Sequence, residues 1–227
     1  MGLNTLARNG LATLRMIAVA ACAASALLQP APAMADARSQ AKRMHDRLAG
    51  VPPSEAVLTS MANDIAAGRP TDAAMTAMQN SAFYDVTLKN FAMPWTNREQ
   101  TVFAPLNDYV ATVIGMVRDD VPFDRVLYDD ILYVGKSGLG VPGYSAANND
   151  HYAALESAGI DLKDGLVQTT QSAASGTPTE ATAGVLTTRA AAEAFFKAGT
   201  NRAMFRYTMI NHLCRDMEQV MDTTRPP

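Results

Sequence analysis

The sequence predicts a mainly α-helical fold, an irregular helical bundle with a glycine-rich loop insert and at most short strands. Three observations carry this reading. Apolar residues recur at three- and four-residue steps along most of the chain, cap residues stand at the boundaries of those runs, and only Ile131 to Val134 has the character of a strand. Composition agrees, since 48% hydrophobic and 18% charged residues in a chain of 227 exclude collagen-like and disordered classes.

Residues 1 to 35 read as an export signal and not as part of that fold. Arg8 and Arg15 supply a basic start, and Met16 to Leu28 is an uncharged run shorter than the ~20 residues of a membrane-spanning helix. Ala33-Met34-Ala35 then matches an A-x-A site, with cleavage after Ala35. The alternative is a lipoprotein signal, because Val19-Ala20-Ala21-Cys22 resembles a lipobox that would leave Cys22 lipidated. Cleavage after Ala35 removes two arginines and no acid, taking the net charge from -3 to -5. It leaves one helical domain, residues 36 to 227, with Cys214 as its thiol and no means of forming an intrachain disulfide. The expected location is the periplasm or the medium, with no membrane span in the mature chain.

The elements follow in order. Ser54, after Pro52-Pro53, opens a helix on which Val57, Met61 and Ile65 make one stripe until Gly68 stops it. Thr71 starts a short second helix, and Ala82 to Met93 form a third that Pro94 ends. Thr96-Asn97-Arg98-Glu99 has the pattern of a capping box, with Pro105 restarting the run it opens. Leu106, Tyr109, Val110, Val113, Ile114 and Val117 then mark an apolar face. Residues 135 to 184 hold 8 of the 14 glycines and read as the loop-rich insert, with a helix at Asn149 to Ala158. An insert of that length is where a binding surface is expected. Arg189 to Ala198 form a helix that Gly199 ends, Thr200 caps the next, and Phe205, Met209, Leu213 and Met217 give the latter a stripe fit for the core.

Candidate chemistry is sparse. Basic residues are scattered, so nucleic acid is not an expected partner. Gly138, Gly140 and Gly143 match G-x-G-x-x-G, but Pro142 removes a backbone donor and no helix follows the third glycine, so no cofactor is expected there. Asp119, Asp120, Asp124, Asp129 and Asp130 lack the spacing of a calcium loop, and no metal site is expected. Asp120 and Asp130 suit short-helix ends, while Asp119, Asp120 and Asp124 are the weak candidates for general acid or base work. His45, His151 and His212 stand apart, and of the ten methionines beyond residue 35, Met61, Met209 and Met217 fall on helical apolar stripes and read as core packing. Cys214, beside the last apolar stripe, reads as a small buried hydrophobe. Trp95 and Tyr84 are the candidate ligand surface, with packing between helices as the plainer reading.

At three places the wording resembles the uncharacterised domains that accompany planctomycete-type c-type cytochromes in exported proteins. Asp119-Asp120-Val121-Pro122-Phe123 with Ile131-Leu132-Tyr133-Val134 carries the first likeness. Gly184-Val185-Leu186-Thr187, then Thr200-Asn201-Arg202 with Leu213-Cys214, carries the others, over residues 80 to 227 with gaps. The resemblance implies a helical, cytochrome-associated envelope protein and transfers no catalytic residue. The haem-binding C-x-x-C-H segment that accompanies such domains has no match here, and Arg225-Pro226-Pro227 reads as the start of a linker. The expectation is therefore a truncated front part of a longer protein: a non-catalytic binding or scaffold module with an envelope protein partner. The alternative is a hydrolase acting on an envelope or extracellular polymer, with the aspartates beside Trp95 and Tyr84.

Overall fold

The computed structural model describes residues 36–199 and 201–219. Residues 1–35, read above as an export signal and including Cys22 and Ala35, together with Thr200, expected as a cap, Met221 and the proline-rich end at 225–227 lie outside the described residues. Within them the fold is mainly helical, with one two-stranded sheet among the described residues.

Three helices begin the described residues. α1 (Ala37–Leu48) has no counterpart in the sequence reading, because it buries only Ala41 and His45 and so shows no apolar stripe. α2 (Glu55–Ala66) starts where expected, with the Ser54 hydroxyl accepting from the Val57 N–H at 3.3 Å. α3 (Pro70–Met78) carries proline in its first turn, where a missing N–H costs nothing. Ala41, Leu58, Met61, Ala73 and Ala77 form a small core of their own. His45 donates from Nδ1 to the Val51 carbonyl at 2.8 Å and closes the α1–α2 turn.

The main core is built on α5 (Asp108–Arg118), of which every residue from Asp108 to Met116 is buried. Before it, the chain passes through a π-helical turn (Phe83–Leu88), α4 (Lys89–Ala92) and a 3-10 turn (Met93–Thr96). Strands β1 (Leu132–Gly135) and β2 (Leu166–Thr169) pair antiparallel, Leu132 opposite Thr169, and pack on α5. Gly115 makes that approach possible: a Cβ there would lie 2.0 Å from the Tyr133 ring. Between the strands run α6 (Asp150–Ser157) and α7 (Leu162–Gly165), and α8 (Gln171–Ser175) follows β2. Gly184, at φ 53°, brings its Cα against the Val126 carbonyl, where a Cβ would sit 1.9 Å away. α9 (Arg189–Ala191) continues as a π-helical turn (Ala192–Lys197), and α10 (Asn201–Leu213) closes the described chain with a 3-10 turn, Met217–Gln219.

Several local expectations are corrected. Thr96 to Glu99 do not cap a helix: Thr96 ends the 3-10 turn, donating to the Met93 carbonyl at 2.8 Å, and Asn97 is extended. The cap of α5 is Asn107, whose side chain accepts from the Val110 N–H. Pro94 does not stop the preceding run, which tightens through it into 3-10 geometry. The insert at 135–184 is better organised than its glycines suggest, since it holds β2 and three helices. The stripe of Phe205, Met209 and Leu213 is not the core face of α10, for Phe205 and Leu213 are 58% and 61% exposed. Cys214 is exposed as well, not buried.

Candidate functional site

The structure disperses the aspartates of the 119–130 run. Arg118 donates to Asp119 through two nitrogens, at 2.7 and 2.8 Å, and the Tyr133 hydroxyl donates to the same carboxylate at 2.8 Å. These bonds hold the Asp119 carboxyl below its ordinary value, the Arg118 bond contributing most. Asp119 therefore stays an anion at neutral pH. Arg118 also donates to the carbonyls of Lys163 and Leu166, at 2.9 and 2.8 Å, so the pair fastens α5 to α7 and β2. Asp120 lies in the turn after α5 at φ 52°. Asp124 accepts from the Tyr128 hydroxyl at 3.2 Å, Asp129 pairs with Arg125, and Asp130 accepts from the Ser172 N–H at 3.0 Å, capping α8.

Tyr84 and Trp95 belong to different groups. Tyr84 is 6% exposed, edge-on to Phe83 and within electrostatic reach of Arg118 and Asp119, so its ring offers no face to a sugar. Trp95 is half-buried and lies edge-on between Phe91, at 4.9 Å, and His212, at 5.5 Å.

A buried carboxylate that sequence reasoning missed joins two helix starts. Asp108 is fully buried, and it accepts from the backbone N–H groups of Arg189 at 2.7 Å and of Ala190 and Tyr109 at 3.0 Å. The Tyr144 hydroxyl also reaches it. Burial raises its carboxyl above the ordinary value, while these donors and the Arg189 charge pull the other way. The signal in the sequence was the pair of cap-type residues Asn107-Asp108 ahead of the apolar run. Next to it, the hydroxyl of the buried Tyr109 lies 2.8 Å from Nε2 of His212. Burial lowers the His212 imidazole below its ordinary value. His151 is likewise consumed internally: Nε2 accepts from the Gly135 N–H at 2.8 Å, and Nδ1 donates to the Pro142 carbonyl at 2.5 Å.

Among the described residues, two surface features lie near the last helices. One is the outer side of α10, with Phe205 and Leu213, adjoining the Phe91–Trp95–His212 aromatic group. The inner side holds α10 by polar bonds: Tyr207 donates to the Arg98 carbonyl at 2.9 Å and Asn211 to the Trp95 carbonyl at 3.1 Å, while the Tyr207 ring stacks on Phe195 at 4.8 Å. The other is a cleft of about 370 Å³ between the loop 97–107 and residues 189–198, lined by Arg98, Glu99, Arg189 and Glu193 as well as by Ala104, Pro105, Ala190 and Ala194, with Arg98 donating to the Ala198 carbonyl at 2.5 Å. Among the described residues no three of His, Cys, Asp and Glu gather as a metal ion would need, and no helix is long and apolar enough to cross a membrane.

Compared with protein-family models, curated proteins and solved structures, the chain matches none.

Proposed function

We propose that the chain is an exported, non-catalytic binding module of the cell envelope that docks a cytochrome-type protein through the outer side of α10. The observation that carries this reading is the orientation of that helix. Phe205 and Leu213 of its apolar stripe face outward, while the side that holds it in place packs Ala203, Met204 and Tyr207 on the core and bonds through Tyr207, Asn211 and His212. Exposed large apolar side chains grouped on one face favour partner binding over solvation. The role of the strongest ionisable groups points the same way. Asp108 and Asp119 bind elements of the fold together, and Asp119 is held as an anion and is unsuited to donate a proton. Export and the cytochrome association come from the signal-like residues 1 to 35 and from the resemblance over residues 80 to 227.

The test is retention from the envelope of the producing cells. The immobilised wild-type chain is expected to hold back a haem-staining polypeptide, and a chain carrying both Phe205→Ser and Leu213→Ser to lose it while melting at the same temperature. Absence of any haem-staining polypeptide from the wild-type eluate, or equal recovery by both chains, would overturn the proposal.

A further inference from the structure

We propose that the groove between α1 and α3 docks the chain on a membrane surface rich in anionic phospholipids. The charges of the first three helices leave two cations over. Every carboxylate of α1, α2 and α3 has a basic partner: Glu55 pairs with Arg38, Asp46 with Lys42, and Asp64 and Asp72 both with Arg69. Arg43 and Arg47 are exposed, and among the described residues neither forms an ion pair. They stand one turn apart on α1, on the same side of the helix, and both line the groove. The Nε of Arg43 donates to the Ser39 carbonyl of its own helix at 3.3 Å, which steadies that side chain.

The surface beside the arginines is apolar. The groove has a volume of about 490 Å³, and Met44, Leu48 and Ala74 line it together with them. Met44 and Leu48 are half-buried against the small core of the three helices, and Met75, next to Ala74 on α3, is 53% exposed. Cations bordering an apolar trough match a phospholipid at an interface: a guanidinium fork takes two phosphate oxygens, and the trough takes the glycerol and the first methylenes. Charge complementarity selects this occupant. The chain as a whole carries -3, so the attraction belongs to this face alone and fixes which side meets the membrane. An acidic polypeptide laid in the groove would bring backbone groups of its own, for which Met44, Leu48 and Ala74 offer no partner; a phospholipid brings none.

Sedimentation of the protein purified from its producing cells with sucrose-loaded vesicles reads the proposal directly. The wild type is expected to pellet with vesicles of equal parts phosphatidylglycerol and phosphatidylcholine, and not with phosphatidylcholine alone. At about 1 M salt, which screens exposed charges beyond about 3 Å, that binding is expected to be lost. Each arginine at an anionic surface is worth about fivefold, so a chain carrying both Arg43→Gln and Arg47→Gln is expected to partition about 25-fold more weakly. A chain carrying both Arg43→Lys and Arg47→Lys keeps the charge and is expected to keep most of the binding. Circular dichroism melts of both double variants verify that they fold. A wild type that does not pellet with the phosphatidylglycerol vesicles, equal partitioning into both vesicle types, a glutamine variant that binds as the wild type does, or a lysine variant no better than the glutamine one would each overturn the proposal. Retention on immobilised polyglutamate without vesicle binding would assign the groove to an acidic protein and overturn it as well.

Discussion

At the scale of single residues, Asp108 and His212 are the groups whose chemistry the fold uses most. Asp108 accepts the N–H groups of Arg189 and Ala190 at the start of α9, so Asp108→Ala leaves these buried donors without a partner. The expected loss is about 2–4 kcal/mol in urea unfolding, with Asp108→Asn recovering part of it because an amide oxygen still accepts. No loss on Asp108→Ala would show that water replaces the carboxylate. His212 makes a prediction in pH. Its imidazole is lowered by burial, so on acidification the unfolded chain takes up the proton first, below about pH 6.5. Stability from this group is complete above that value and is lost as pH falls through the lower, folded value. The slope is at most about 1.4 kcal/mol per pH unit. Urea midpoints of the wild type should therefore fall more steeply than those of His212→Gln as the pH is lowered below about 6.5. Parallel profiles would mean that the Tyr109–His212 bond is not linked to folding.

At the scale of elements, α5 and the sheet pack closely at Gly115. Gly115→Ala places a methyl group inside the Tyr133 ring and is expected to cost about 1–3 kcal/mol, read as a fall in the melting temperature. Tyr133→Leu in the same chain frees that space, so the two effects should fall short of their sum. An additive pair would mean that the sheet moves away from the helix instead. This scale also explains how far the sequence was legible. α2 and α5 were readable because apolar residues recurring at helical spacing, Met61 on α2 and Tyr109, Val110, Val113 and Ile114 on α5, are buried, and because Ser54 stands at its cap position. α1 was not, since His45 and Ala41 do the burying on an otherwise charged helix. β2 was hidden because Val167 and Gln168 are exposed, so its residues show no strand alternation. On α10 two stripes compete, and the more apolar one predicts the wrong inward face: Tyr207 and Asn211 anchor the helix by hydrogen bonds that hydropathy does not register. Of the candidate residues, Asp119 stood out in the sequence as an acid, but its bond to Arg118 and its long-range partner Tyr133 are properties of the fold.

At the scale of the whole molecule, the features combine into a division of labour. Buried polar groups, Asp108, Tyr109, His151 and Gln171 among them, connect elements distant in sequence, Gln171 by donating to the Ile131 and Gly184 carbonyls. Such connections favour one rigid arrangement over many. Rigidity is what a docking module needs, because partners then bind without an ordering cost. The apolar material left over is displayed: Phe205 and Leu213 on α10, and Phe103 at the cleft. The measurement that tests this account most directly is photo-crosslinking in the producing cells from a benzophenone side chain placed at Phe205, with exposed Glu180 as the control position. The account predicts one discrete adduct with a haem-staining envelope protein from position 205 and none from 180. Equal labelling from the two positions, or an adduct from 205 that contains no haem protein, would contradict it.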